Sequence, residues 1–140
     1  MLGQALGLHQ DSSSSGLASE ERHRRFCLFW STYCIERPTA LRLGRPSTIR
    51  DGHITIPKPD QYPTLQGLTS SRQSLIHAVE MSRLHGSAYD DLFCPGALAL
   101  PAMHRTTRGQ AIAAEWRALI ASKESSMVYW AISFSLVHAD

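Results

Sequence analysis

Cysteine is scarce in this chain of 140 residues: there are three, at positions 27, 34 and 94. Three widely spaced cysteines do not make a disulfide framework, and the absence of any C-x-x-C pair argues against a structural zinc site. Charge bias is missing too, with 14 basic and 12 acidic side chains and a net charge of +2. So small an imbalance neither keeps a chain expanded nor builds the broad basic face of a self-sufficient DNA-binding domain. Lysine is nearly absent, Lys58 and Lys123 being the two, so the cations are overwhelmingly arginine. That favours fixed ion pairs and carbonyl contacts over loosely solvated charge. No apolar run approaches the roughly 20 residues of a membrane-spanning helix, and the longest, Met127 to Val137, is interrupted by Ser133 and Ser135. The opening MLGQALGLHQD lacks the basic start and long apolar centre of a secretory signal. A soluble intracellular domain with reduced cysteines is expected.

The elements that are present read as helices. Leu2, Ala5, Leu6 and Leu8 have nearly helical spacing and suggest the last turns of a helix, before a Ser-rich loop ending at Gly16. The clearest element follows. Ser19 is positioned to cap it and Glu20 and Glu21 suit its first turn. Phe26, Phe29, Trp30, Tyr33 and Cys34 then recur as one buried face. Pro38 is expected to end or kink this helix, with a short continuation to Gly44 as C-cap and Pro46 just beyond. Residues 46–67 read as an extended connection anchored by Ile49, Ile54 and Ile56. A strand over 53–56 would lack a partner, which favours a loop packed on helices. A second long helix is expected from Ser70 or Ser71, stopped by Cys94-Pro95-Gly96. A third is expected over about 107–123, with Ile112, Trp116, Leu119 and Ile120 as its stripe, and a fourth over 127–138. The fold class expected is all-α, an irregular helical array.

Catalytic and metal chemistry find little support. There is no G-x-S-x-G elbow, phosphate loop, dinucleotide fingerprint or H-E-x-x-H helix. His23 and Cys27 form one i, i+4 pair, short of the three or four converging ligands that zinc needs, so Cys27 and Cys34 read as small buried apolar residues. His77 with Glu80, and His85 near Asp90 and Asp91, read as solvated helix residues rather than acid–base groups. The run Arg22-His23-Arg24-Arg25 sits in a first turn, where the helix dipole disfavours cations. Ion pairing within the fold is a better reading for it than phosphate contact.

Taken in order, the segments GLHQD at 7–11 and EERHRRFCLFWSTYCIERPTALRLGRPSTIRDGHITIPKP at 20–59 resemble the fungal-specific transcription factor domain. This is the helical middle homology region that usually follows a six-cysteine binuclear zinc cluster. The resemblance is carried by Gly7, Leu8, His9 and Asp11, then by Arg24, Arg25, Phe29, Trp30 and Arg37. It continues through Leu43, Gly44, Arg45 and Pro46 to Asp51, Ile54 and Pro57. Gln10, Phe29 and Glu36 depart mildly from the family's usual Arg, Trp and Asp. HGSAYDDLFCPGAL at 85–98 resembles a weaker downstream step, with Cys94 in place of a usual Ser.

The resemblance implies a partial domain over residues 1–125, strongest over 5–59, followed by an incompletely packed apolar helix over 126–140. It implies a nuclear, non-enzymatic regulatory region that meets other parts of a transcription factor, regulatory proteins or a small-molecule effector. No catalytic or metal-binding residue, no cofactor, no direct DNA contact and no membrane is expected of this chain, zinc belonging to the upstream module of full-length relatives. A small standalone module binding a protein or ligand is the alternative. Arg25, Arg37 and Arg45 are candidates for contacts with carboxylates or helix-end carbonyls, with Glu36 and Asp51 the nearest acids.

Overall fold

The computed structural model describes residues 7, 9–10, 16–62 and 69–122. They form an all-α arrangement with no strand among the described residues. Helix α1 spans Ser19–Arg42, α2 Thr69–Ala88, the short α3 Pro95–Leu98, and α4 Ala102–Ala121. A 3₁₀ turn, Asp51–His53, lies in the connection between α1 and α2. The expected terminal segments, Leu2 to Leu8 and 127–138, and the boundary near residue 125 lie outside the described residues, apart from Gly7.

Helix α1 begins one residue earlier than the capping expectation. Ala18 occupies the N-cap with no side-chain bond, and Ser19 is already helical. The first turn is instead favoured by Glu20 and Glu21 against the positive end of the dipole. Its buried face is Phe26, Phe29, Trp30, Tyr33, Arg37 and Ala40, at helical spacing. The aromatic members pack edge-on, with Phe29–Trp30 centroids at 5.1 Å and Trp30–Tyr33 at 5.3 Å.

Pro38 does not end the helix. A proline at this position has no N–H to give to the Cys34 carbonyl, four residues back. Ser82 of α2, itself buried, turns its hydroxyl to that carbonyl oxygen at 3.4 Å. The orphaned acceptor is therefore met from another helix, and α1 runs on to Arg42. Its exit is a Schellman motif: Gly44 N–H donates to the Leu41 carbonyl at 3.0 Å and Arg45 N–H to the Ala40 carbonyl at 3.1 Å. Gly44 has φ +64°, the left-handed conformation that glycine adopts without a Cβ penalty.

Helix α2 packs against α1 and, on another flank, against α4. Val79, Ser82, Leu84 and Tyr89 are buried. Beyond Ala88 the chain continues through a π-helical turn, Tyr89–Phe93, before Cys94 breaks it. Cys94 then caps α3, its Sγ accepting from Ala97 N–H at 3.3 Å with Pro95 in the first helical position. Helix α4 begins at Ala102, five residues before the expected start, directly after Pro101, which occupies its N-cap with φ −53° and ψ 143°. No residue of α4 is buried. Its expected stripe is half covered at Ile112, Trp116 and Leu119 and exposed at Ile120.

Candidate functional site

The connection between α1 and α2 is fastened to α1 at several levels, and these fastenings bring the motif residues together. Arg37 lies inside the fold at 6% exposure. Its Nη2 donates to Asp51 Oδ1 at 2.7 Å and to the Ile49 carbonyl at 2.9 Å. Tyr33 donates its hydroxyl to the same Asp51 oxygen at 2.8 Å, and the Arg37 guanidinium lies 4.6 Å from the Tyr33 ring centroid. Burial pushes the Tyr33 phenol well above its ordinary range; Arg37 partly offsets this and Asp51 adds to it. Tyr33 is thereby a permanent donor.

One turn away, buried Glu36 fixes the start of the connection. Its carboxylate accepts from Ser47 Oγ at 2.6 Å, from Thr48 N–H at 2.7 Å and from Thr48 Oγ1 at 3.1 Å. Glu36 was an expected partner for arginine; it receives hydroxyls and an N–H instead. Residue order does not single out Ser47 and Thr48 for this role. The available signal was a Ser-Thr pair after Pro46, where short hydroxyl side chains bond local backbone, as Ser47 does with Ile49. Further on, Trp30 Nε1 donates to the Pro57 carbonyl at 3.2 Å, and Arg72 of α2 reaches the carbonyls of Pro59 and Asp60.

The other motif residues take different places. Phe29 and Trp30 are core residues at 3% and 2% exposure. Gly7 has φ +67° in a turn closed by Gln10 N–H to its carbonyl at 3.0 Å, and the His9 carbonyl accepts from Thr55 N–H at 2.9 Å. Leu8 and Asp11 lie outside the described residues. Arg24 and Arg25 do not join the Arg37 cluster. They face Glu21 on their own helix, at 3.9 Å and 3.1 Å, an arrangement open to solvent around Arg24. Gly44, Arg45 and Pro46 form the helix exit; the Arg45 contact is made by its backbone N–H, and no carboxylate among the described residues pairs with its exposed guanidinium.

The acid–base candidates are held in other ways. Glu80 accepts from Arg83 at 2.9 Å, and Arg83 also reaches Glu115 of α4 at 2.9 Å. These two carboxylates raise the Arg83 pKa. His85 Nδ1 lies 2.7 Å from the Met81 carbonyl, and its ring meets Trp116 edge-on at 4.9 Å. Cys27 and Cys34 are half-buried rather than fully enclosed, and burial raises both thiols. Cys27 Sγ is 3.6 Å from His23 Nε2, but among the described residues no group of three His, Cys, Asp or Glu could hold a metal ion. The donor set here does not fit a zinc cluster. No helix among the described residues is long and apolar enough to cross a membrane.

Beside the Arg37–Asp51 contact is a cavity of about 160 Å³, walled by Trp30, Tyr33, Ile54, Ile56 and Val79.

The loop fastened to the arginine-bearing helix is the stretch that carries the ordered motifs, and a family model for the fungal specific transcription factor domain matches residues 2–90. The chain belongs to this family. It is 31% identical over 91 residues to the thiamine repressible genes regulatory protein thi1 of Schizosaccharomyces pombe, covering 64% of this chain and 12% of that protein. It is 42% identical over 57 residues to the protein STB5 of Saccharomyces cerevisiae, covering 39% and 8%. It is 32% identical over 62 residues to an ABC-transporter-regulating transcription factor of Aspergillus oryzae, covering 44% and 7%. The chain thus spans a small fraction of the length of these relatives. No solved structure matches it. Within the fungal transcription factor domain, the Arg37–Asp51 and Glu36–Thr48 contacts join the helix to the loop that follows it.

Proposed function

We propose that this chain is the regulatory helical region of a fungal transcription factor and takes part in the regulation of DNA-templated transcription without contacting DNA itself. The observation that carries this is the use of the motif arginine inside the fold. Arg37 is committed to Asp51 and Ile49, which leaves no free guanidinium there for a phosphate. Arg25, Arg83 and Arg108 also face carboxylates of this chain. Its partners are other regions of a transcription factor or regulatory proteins, together with a small-molecule effector, and its place is the nucleus. Catalysis and a bound cofactor have no part in this reading.

The test is a tethering assay. The chain is placed between a heterologous DNA-binding domain and an activation domain, and reporter output is compared with that of an Arg37→Met chain. A change in output that depends on the intact chain supports the reading; equal output from both fusions and from a fusion without the chain counts against it. A mobility-shift titration of the chain with duplex DNA completes the test, because salt-dependent binding at about physiological ionic strength would contradict the absence of DNA contact.

A second reading, a small helical module that binds a protein or ligand alone, is favoured by one observation. Phe93, Leu98 and Met103 are exposed around α3 and the start of α4. Reporter output independent of the chain, together with stable capture of a helical partner through these residues, would favour it.

A further inference from the structure

The cavity beside the Arg37–Asp51 contact has an unusual inventory of polar groups. Its walls combine aromatic and aliphatic side chains with four charged ones, Asp51, Lys58, Glu80 and Arg83, and all of these but Lys58 have an ion-pair partner within the chain. Trp30 Nε1 is bonded to Pro57, and the Tyr33 hydroxyl to Asp51. Asp51 is further neutralised by Arg37, and Glu80 by Arg83. Lys58 is the exception: it lines the cavity, is exposed, and has no carboxylate partner among the described residues.

We propose that this cavity binds a small monocarboxylate with a compact apolar body, a single ring or a branched aliphatic chain, whose carboxylate is taken by Lys58. Size sets the first part. The volume of about 160 Å³ is close to that of engineered apolar cavities of roughly 150 Å³ that accept one benzene molecule. Charge sets the second. A ligand bearing several polar groups would leave most of them against the apolar walls of Trp30, Ile54, Ile56 and Val79, where they find no partner. One anionic group meets the one unpaired cation, while a cationic ligand would face Lys58 with like charge. The site lies between α1, α2 and the connection, so occupancy bears on the contacts that hold the connection in place. The inference rests on the regulatory reading for its purpose, whereas binding itself is measured apart from reporter output.

The experiment is a titration of the full ¹⁵N-labelled chain with benzoate and, in parallel, with the neutral benzamide, following the Trp30 indole N–H resonance. Benzoate is expected to give a saturable shift at roughly millimolar concentration or below, and benzamide to bind at least about tenfold more weakly. Lys58→Gln is expected to weaken benzoate at least about tenfold and to leave benzamide unchanged, and Lys58→Arg to retain benzoate binding. Absence of a saturable shift, equal affinity for the two probes, or undiminished benzoate binding by the Lys58→Gln chain would overturn the proposal. A failed titration beside a responsive reporter removes the ligand and keeps the regulatory reading; a successful titration beside an unresponsive reporter does the reverse.

Discussion

Arg37 and Asp51 meet through one nitrogen and one oxygen, Nη2 and Oδ1, at 2.7 Å, and each atom has a second partner. Nη2 also donates to the Ile49 carbonyl, and Oδ1 also accepts from Tyr33. The contact is asymmetric in exposure, with the Arg37 side chain at 6% and Asp51 at 52%. The cation is therefore the member that depends on the pair.

Asp51→Ala strands a buried guanidinium. Breaking buried pairs costs roughly 3–5 kcal/mol, and the open position of Asp51 reduces this to about 2–3 kcal/mol. Tyr33→Phe should cost about 1 kcal/mol in the natural chain and close to nothing once Asp51 is alanine. Urea unfolding of the four chains of this cycle checks both values. Equal cost of Tyr33→Phe in the two backgrounds would show that Tyr33 does not act through Asp51.

Gly86 lies against the same guanidinium. A Cβ placed there would clash with Arg37 Nη1. An arginine tip could ordinarily swing aside, but Nη2 is bonded to two acceptors. Gly86→Ala is expected to destabilise by about 1–3 kcal/mol through overpacking, and by clearly less in an Arg37→Met background. Thermal unfolding of the single and double variants decides it; equal destabilisation in both would place the conflict elsewhere.

The hydroxyl of Ser82 substitutes for the N–H that Pro38 lacks. Ser82→Ala should cost about 1 kcal/mol, since it leaves the Cys34 carbonyl without this donor in a partly buried setting. In a Pro38→Ala background the helix provides its own N–H at that position, and the same Ser82→Ala change should cost far less. A cost unaltered by Pro38→Ala, measured by chemical denaturation, would refute the substitution of one donor for the other.

Burial lowers the pKa of His85 from its ordinary 6.5; the bond to the Met81 carbonyl opposes this, and the charge of Arg42 adds to it. The unfolded chain then binds a proton more readily than the folded one. The stability associated with neutral His85 is full above about 6.5, is lost progressively as pH falls below that value, and levels off beneath the lowered folded pKa. Unfolding curves collected between about pH 7 and pH 5 should show this slope, and His85→Gln should flatten it. An unchanged slope in the variant would assign the pH dependence to other groups.

Helix α1 and its exit were legible from residue order because their causes are local. Apolar spacing sets the buried face from Phe26 to Tyr33, and Gly44 before Pro46 marks a left-handed exit. The limits of such reading appear at Pro38, at α4 and at Glu36. A proline rule applied along the sequence allows the helix to end at Pro38, and the donor that meets the orphaned Cys34 carbonyl, Ser82, lies 48 residues from it. The start of α4 at Ala102 directly follows Pro101 and precedes its apolar stripe. Glu36 and Asp51 were both visible as acids, yet their order along the chain could not tell which would receive Arg37.

That division has a physical basis. Backbone dihedral preferences and side-chain periodicity act over a few residues, so the all-α class, the aromatic face and the Gly44 turn are contained in the order of amino acids. Hydrogen bonds between distant segments depend on where packing sets two helices and a loop in space. Arg37 with Asp51, Ser82 with Cys34, Trp30 with Pro57, and the cavity edged by Lys58 all arise from that packing. Three-dimensional proximity selected these partners from chemically equivalent candidates that residue order leaves undistinguished.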